Sequence, residues 1–222
     1  MPKKTYATFP DSGFDRVASF YDPLARVVFG EAQQQAQLAL LPFIPKGARV
    51  LLIGGGSGWL LEQVLVRCQP KAVLYLEASQ VMLQKAQQRF QQQLHATNSA
   101  VEFRFGTEAT LQPHEQFDVL FTPFLLDLFP PRRLSELMLK LHQALAPGGQ
   151  WLFVDFWPEQ QPVPVWQRLL LRSMYLFFAA LSQVKARQLP DYEQHFGELQ
   201  LQETFSSSFY HRMLQAKVYT HR

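Results

Sequence analysis

Glycines stand at 54, 55, 56 and 58, directly behind the apolar run Val50–Ile53, and an acid, Glu77, closes the next apolar run. Main chain without Cβ atoms can approach a small molecule to contact distance. A helix starting near Ser57 would turn unpaired N–H groups and a partial positive charge toward the same point. An acid about twenty residues beyond such a turn can accept both hydroxyl hydrogens of a ribose diol. The plainer reading of Glu77 is a surface charge at a strand end.

The glycines alone do not name a ligand. A dinucleotide fingerprint wants a small residue at its sixth position, where this chain has Trp59. An indole there would push the helix off the sheet. A P-loop needs a lysine after its glycines, and none follows. The pattern that fits is G-x-G-x-G, ending at Gly58. Other residues with chemical potential read as structural. Asp127 reads as a cap or surface acid before Pro130-Pro131, and His195 and His211 as structural histidines. Cys68, the one cysteine, reads as a packing residue.

The elements that would position these groups follow from hydrophobic pattern. Strands are expected at Val50–Ile53, Val73–Leu76, Val101–Phe105, Phe117–Phe121 and Trp151–Phe156. Helices fall between them, including Gln80–Leu94 and Pro131–Ala144, the latter stopped by Pro147-Gly148-Gly149. Such alternation implies a doubly wound, mostly parallel sheet with ligands at the carboxyl ends of its strands. Leu199–Ser207 and Met213–Thr220 alternate apolar and polar residues and read as an antiparallel hairpin closing the sheet. Gly13–Phe43 reads as covering helices. Val165–Val184 reads as an apolar helix, interrupted by Arg168 and Arg172, which is too broken to span a membrane. It is expected as a core or lid helix. Tyr175, Phe177 and Phe178 could line a pocket for an apolar or aromatic substrate, and the helix leaves room for peripheral membrane contact.

Composition agrees with one α/β domain over residues 1–222: a helical cover (1–46), a core (47–156) and a substrate-side region (157–222). Of the residues, 47% are apolar and 18% charged, as in globular proteins. A net charge of +3, with scattered cations, does not suggest nucleic acid. No secretory signal follows Met1, and a single cysteine suits a reducing, cytoplasmic setting and rules out a thiolate zinc site.

Five stretches, in order, resemble the class I S-adenosylmethionine-dependent methyltransferases. V-L-L-I-G-G-G-S-G resembles motif I, and Leu74–Ala86 is similar to the acid-bearing second strand with its Met-Leu pair. Phe117–Asp127 resembles motif IV, and Leu145–Phe156 the L-x-P-G-G loop and strand. Phe14–Asp22 is similar to the start of the ubiquinone/menaquinone C-methyltransferase subgroup. The resemblance implies a Rossmann-like sheet of seven strands, the last antiparallel, and S-adenosylmethionine as methyl donor with S-adenosylhomocysteine as product. The acceptor would be a small, apolar or aromatic molecule. It also implies a cofactor site. Gly54, Gly55, Gly56 and Gly58 would border the methionine part, Glu77 the ribose, and Ala78 and Met82 the adenine. Thr107 or Glu108 would face the adenine amino group, Thr122 and Phe124 would close the side, and Tyr21 would cover it. Leu52 stands where the family usually has an acid, and Thr107 where it usually has aspartate. A weakened or purely binding member of the fold is therefore the alternative, and an NAD-dependent oxidoreductase is disfavoured by Trp59. No catalytic residue is legible.

Overall fold

The computed structural model describes residues 28–93, 97–160, 162–181 and 189–221, with side chains through 92 and 176 in the two helices that end at 93 and 181. Strand β1 (Arg49–Ile53) is flanked by β2 (Ala72–Glu77) and β4 (Phe117–Pro123), both parallel to it. The full order is β3-β2-β1-β4-β5-β7-β6, with β3 at Ala100–Phe105, β5 at Leu145–Phe156, β6 at Leu201–Phe209 and β7 at Leu214–His221. Only β7 runs antiparallel to its neighbours β5 and β6. This is the expected seven-stranded sheet.

Both faces of the sheet are covered, which explains why β1, β2 and β4 read as continuous apolar runs. Val50 and Leu52 point into one layer with helices α1 (Ala32–Leu38), α2 (Trp59–Cys68) and α3 (Gln80–Gln93). Leu51 and Ile53 point into the other, with α4 (Pro131–Gln143) and α6 (Tyr192–Glu198). Here Phe196 stacks on Tyr219 at 3.8 Å, and Phe153 meets Tyr192 edge-on at 4.8 Å. Helix α5 (Val165–Leu181) packs Leu171 with Phe29, Phe156, Met213 and Leu214. No helix among the described residues is long and apolar enough to cross a membrane.

Most strand boundaries shift by one or two residues from the expected ones, that of β5 by six, and the shifts at β5 and β4 bear on the site. Strand β5 starts at Leu145, not Trp151, because Pro147-Gly148-Gly149 bulges out of a strand already begun. Leu145 pairs with Phe117, then Gln150 with Val119. Proline and glycine are tolerated in strands at such irregularities. Strand β4 runs to Pro123, two residues further than expected. The expected helical spacing at Phe14–Tyr21 and the end of the 165–184 helix lie outside the described residues.

Candidate active site at the strand tips

The glycine turn leaves the end of β1 and is clamped from β2. Tyr75 and Glu77 lie two residues apart and so share one face of that strand. The Tyr75 hydroxyl donates to the Gly56 carbonyl at 2.7 Å, and the Gly56 N–H donates to Glu77 Oε2 at 3.1 Å. Both sides of one glycine are thus fixed by a single neighbouring strand. Glu77 is buried, and its other oxygen accepts the Ser79 N–H at 2.9 Å. These two amides set the direction of the carboxylate. Leu52, at the position of the missing acid, is fully buried in hydrocarbon. Tyr75 and Glu77 hold the turn that Leu52 cannot.

The four glycines have different surroundings. A Cβ on Gly55 would stand 2.6 Å from the Tyr75 ring. One on Gly58 would stand 2.8 Å from the Ala86 Cα, so Gly58 lets α2 pass close to α3, at a φ of +88° that favours glycine. One on Gly54 would meet Leu125 at 3.1 Å. Only Gly56 of the four opens on space, with nothing within 4 Å.

The remaining residues of the expected site separate into those gathered and those not. Ser79 caps α3 through the Met82 N–H at 3.2 Å, which places Ala78 and buried Met82 beside Glu77. The Gly106 N–H donates to the Glu77 carbonyl at 3.0 Å and brings Thr107 to the same corner. Thr107 is buried and caps the short turn Glu108–Thr110. Glu108 is committed elsewhere, paired with Arg133 of α4 at 2.8 Å. Phe124 sits at the tip of β4, 5.6 Å from the Phe156 ring, with a φ of +49° that a bulky side chain rarely adopts. Thr122 is a correction. Because β4 extends past it, Thr122 is fully buried within the strand, and its hydroxyl accepts the Trp151 indole N–H at 3.0 Å. Its side chain does not border the crevice. Tyr21 lies outside the described residues.

Asp127 is the second correction. It is neither a cap nor a surface acid: it is 3% exposed, next to the fully buried Asp155. Burial pushes Asp127 up to about 7, although its hydrogen bond with Asp155 pulls the other way. Burial, and then the charge of Asp127, hold Asp155 well above the carboxylate range. The V-D-F run at the end of β5 contains the signal, an acid inside an otherwise apolar strand. His211 lies exposed in the hairpin turn, and His195 approaches Ser135 at 3.5 Å. Cys68 is buried, bonded to the Leu41 carbonyl at 3.5 Å, and burial raises its thiol to about 11.

Residues 50–149 match the family described as methyltransferase domain. The matched segment is Val50–Gly149. It begins on β1 and ends in the β5 bulge, so it carries the glycine turn, Glu77, Thr107 and Asp127. No curated protein matches the chain. Solved structures share its fold. Magnesium protoporphyrin IX methyltransferase (ChlM) from Synechocystis PCC 6803, with bound SAH, superposes with a TM-score of 0.68 at 18% identity, covering 95% of each chain. The N-methyltransferase NodS from Bradyrhizobium japonicum WM9, in complex with S-adenosyl-L-homocysteine, gives 0.68 at 15% identity over 95% of this chain and 99% of its own. The DhpI–SAH complex gives 0.68 at 19% identity over 94% of each.

Proposed function

We propose that the chain transfers the methyl group of S-adenosylmethionine to a small-molecule acceptor. The observation that carries this reading is the double clamp on Gly56. It holds one bare glycine open to space and, beside it, a buried carboxylate oriented by two amides. A carboxylate is an acceptor for the hydroxyl hydrogens of a diol. In this reading Gly54–Gly58 border the methionine part, Glu77 takes the ribose hydroxyls, and Ala78, Met82 and Thr107 line the adenine. With Glu108 held by Arg133, Thr107 is the better partner for the adenine amino group. Phe124 closes the methyl side. The donor brings an electrophilic methyl carbon, and the protein aligns the acceptor with it and excludes water.

The outer face of α5 exposes Val165, Leu169 and Leu176, which supports an apolar acceptor or a peripheral contact with a membrane surface. The single cysteine, buried and unpaired, supports a cytoplasmic setting. Similarity of Phe14–Asp22 to the ubiquinone/menaquinone enzymes supports that subgroup and no more than that. Leu52 in hydrocarbon favours one alternative, a member of the fold that binds the cofactor without turnover.

Thermal unfolding with S-adenosylhomocysteine tests the reading. A ligand at one hundred times its dissociation constant stabilises by about 2.7 kcal/mol, so the melting temperature rises. Glu77→Ala abolishes the rise, whereas an unchanged response removes Glu77 from the site. Binding with no transfer of labelled methyl to phenols, quinones or amines would support the alternative.

A further inference from the structure

Beyond the tips of β4 and β5 lies a polar group of side chains that the cofactor reading does not use. Asp155 Oδ2 accepts the N–H groups of Leu126 and Asp127 at 3.0 and 3.2 Å, and its Oδ1 accepts that of Phe156 at 2.8 Å. The end of β4 is therefore tied to β5 through one carboxyl. Asp127 is hydrogen-bonded to that same carboxyl, which requires a proton between the two.

Three more polar groups surround the pair. Tyr192 of α6 is 1% exposed, and burial, then the charges of Asp155 and Asp127, keep its hydroxyl protonated, with a hydrogen bond to Asp155. The Tyr175 hydroxyl of α5 is buried, faces the charges of Asp127 and Asp155, and meets no hydrogen-bond partner among the described residues. Gln215 stands opposite Asp155 in the β5–β7 ladder, so both side chains leave the same face of the sheet. Its Oε1 accepts the Ser208 hydroxyl, while its buried Nε2 has no partner. Unpaired buried polar atoms are costly, and the Tyr175 hydroxyl and Gln215 Nε2 leave hydrogen-bonding capacity unused beside one carboxyl pair among the described residues. No group of acids, histidines and cysteines among the described residues could hold a metal ion.

The pair also adjoins the glycine turn. Leu125, two residues before Asp127, is the side chain that packs over Gly54. One short segment thus lies against the proposed methionine subsite on one side and against the carboxyl pair on the other.

We propose that Asp127, positioned by Asp155 and ringed by Tyr175, Tyr192 and Gln215, is the catalytic residue that receives the proton of a methyl acceptor reacting through an O–H or N–H group. This rests on the methyl-transfer reading above. In the step, the acceptor's lone pair forms the new bond to the methyl carbon. The carbon–sulfur bond breaks with its electron pair left on sulfur, giving the neutral thioether. The acceptor's proton passes to the Asp127 carboxylate and from there to water. The two tyrosines and the glutamine orient the heteroatom. A carbon nucleophile would offer these groups no hydrogen-bond donor.

The test compares two ligands by calorimetry: S-adenosylhomocysteine, and sinefungin, an S-adenosylmethionine analogue with an amine where the methyl group would be. If the pair reaches the methyl position, its charge meets that ammonium. Wild-type protein should then prefer sinefungin by more than about tenfold near pH 8, the size of one charge-assisted bond. The preference should shrink toward unity near pH 5 as the pair regains its proton. The groups that titrate around the ammonium are Asp127, Asp155, Tyr175 and Tyr192, and the two phenols are held neutral throughout by burial. Asp127→Asn should bring the preference within about twofold while S-adenosylhomocysteine binds as before. Tyr192→Phe should lower it several-fold without changing its pH midpoint. A wild-type preference that is absent, or flat with pH, overturns the proposal even if every variant misfolds. So does an Asp127→Asn protein that keeps the preference. Failure of S-adenosylhomocysteine to bind the wild type overturns the cofactor reading itself.

Discussion

The Gly56 peptide takes its N–H partner from Glu77 and its carbonyl partner from Tyr75. Removing the Tyr75 hydroxyl leaves the turn half-clamped. Tyr75→Phe should cost about 1 kcal/mol in urea unfolding and weaken S-adenosylhomocysteine binding several-fold by calorimetry. Equal affinity in the variant would show that the turn does not depend on that bond. Asp127 makes an opposite prediction about stability. Its folded-state proton affinity, about 7, exceeds the ordinary value of 3.8, so the native state holds a proton that the unfolded chain gives up. That contribution is fully present below the ordinary value and is lost as pH rises toward about 7. Asp127→Asn removes the titration. Its melting temperature should therefore gain on the wild type as the buffer moves from about pH 5 to about pH 8. A constant difference across that range would mean Asp127 is ionised in the native state.

At the scale of elements, the glycines at 56 and 58 divide binding from packing. Gly58→Ala forces α2 away from Ala86 on α3 and should destabilise the fold by about 2 kcal/mol. Gly56→Ala meets no neighbour and strains only the backbone, by about 1 kcal/mol. If the proposed cofactor reading holds, it should instead abolish the ligand-induced rise in melting temperature, because its methyl enters the open space beside Gly56. The same pair shows what the sequence could and could not reveal. The turn, its position after β1 and the acid closing β2 were readable because they depend on neighbours within a few residues. The division of labour among the glycines was not, since it depends on Tyr75, Ala86 and Leu125, which only folding brings near. Thr122 was misplaced by two residues of strand, enough to move a hydroxyl from the crevice into the core. Asp127 read as a surface acid for a similar reason. Tyr175 of α5 and Tyr192 of α6 face its charge, and no local pattern announces where such distant helices will lie.

For the whole molecule, the sheet order predicts how the protein opens. Strands β4 and β5 lie deep in the sheet with both faces covered, while β3 and β6 are edges with alternate residues exposed. Amide hydrogen exchange should be slowest in β4 and β5, at rates set by global unfolding, and faster in β3 and β6. Protection at the edges equal to that of the centre would point to a partner covering them. The order also bears on synthesis. Strand β7 is made after β6 but lies between β6 and β5. Until Leu214–His221 has left the ribosome, the hairpin cannot form and β5 presents an unpaired border to solvent. A nascent chain stalled before Leu214 would thus be a substrate for chaperones, however complete its cofactor cradle.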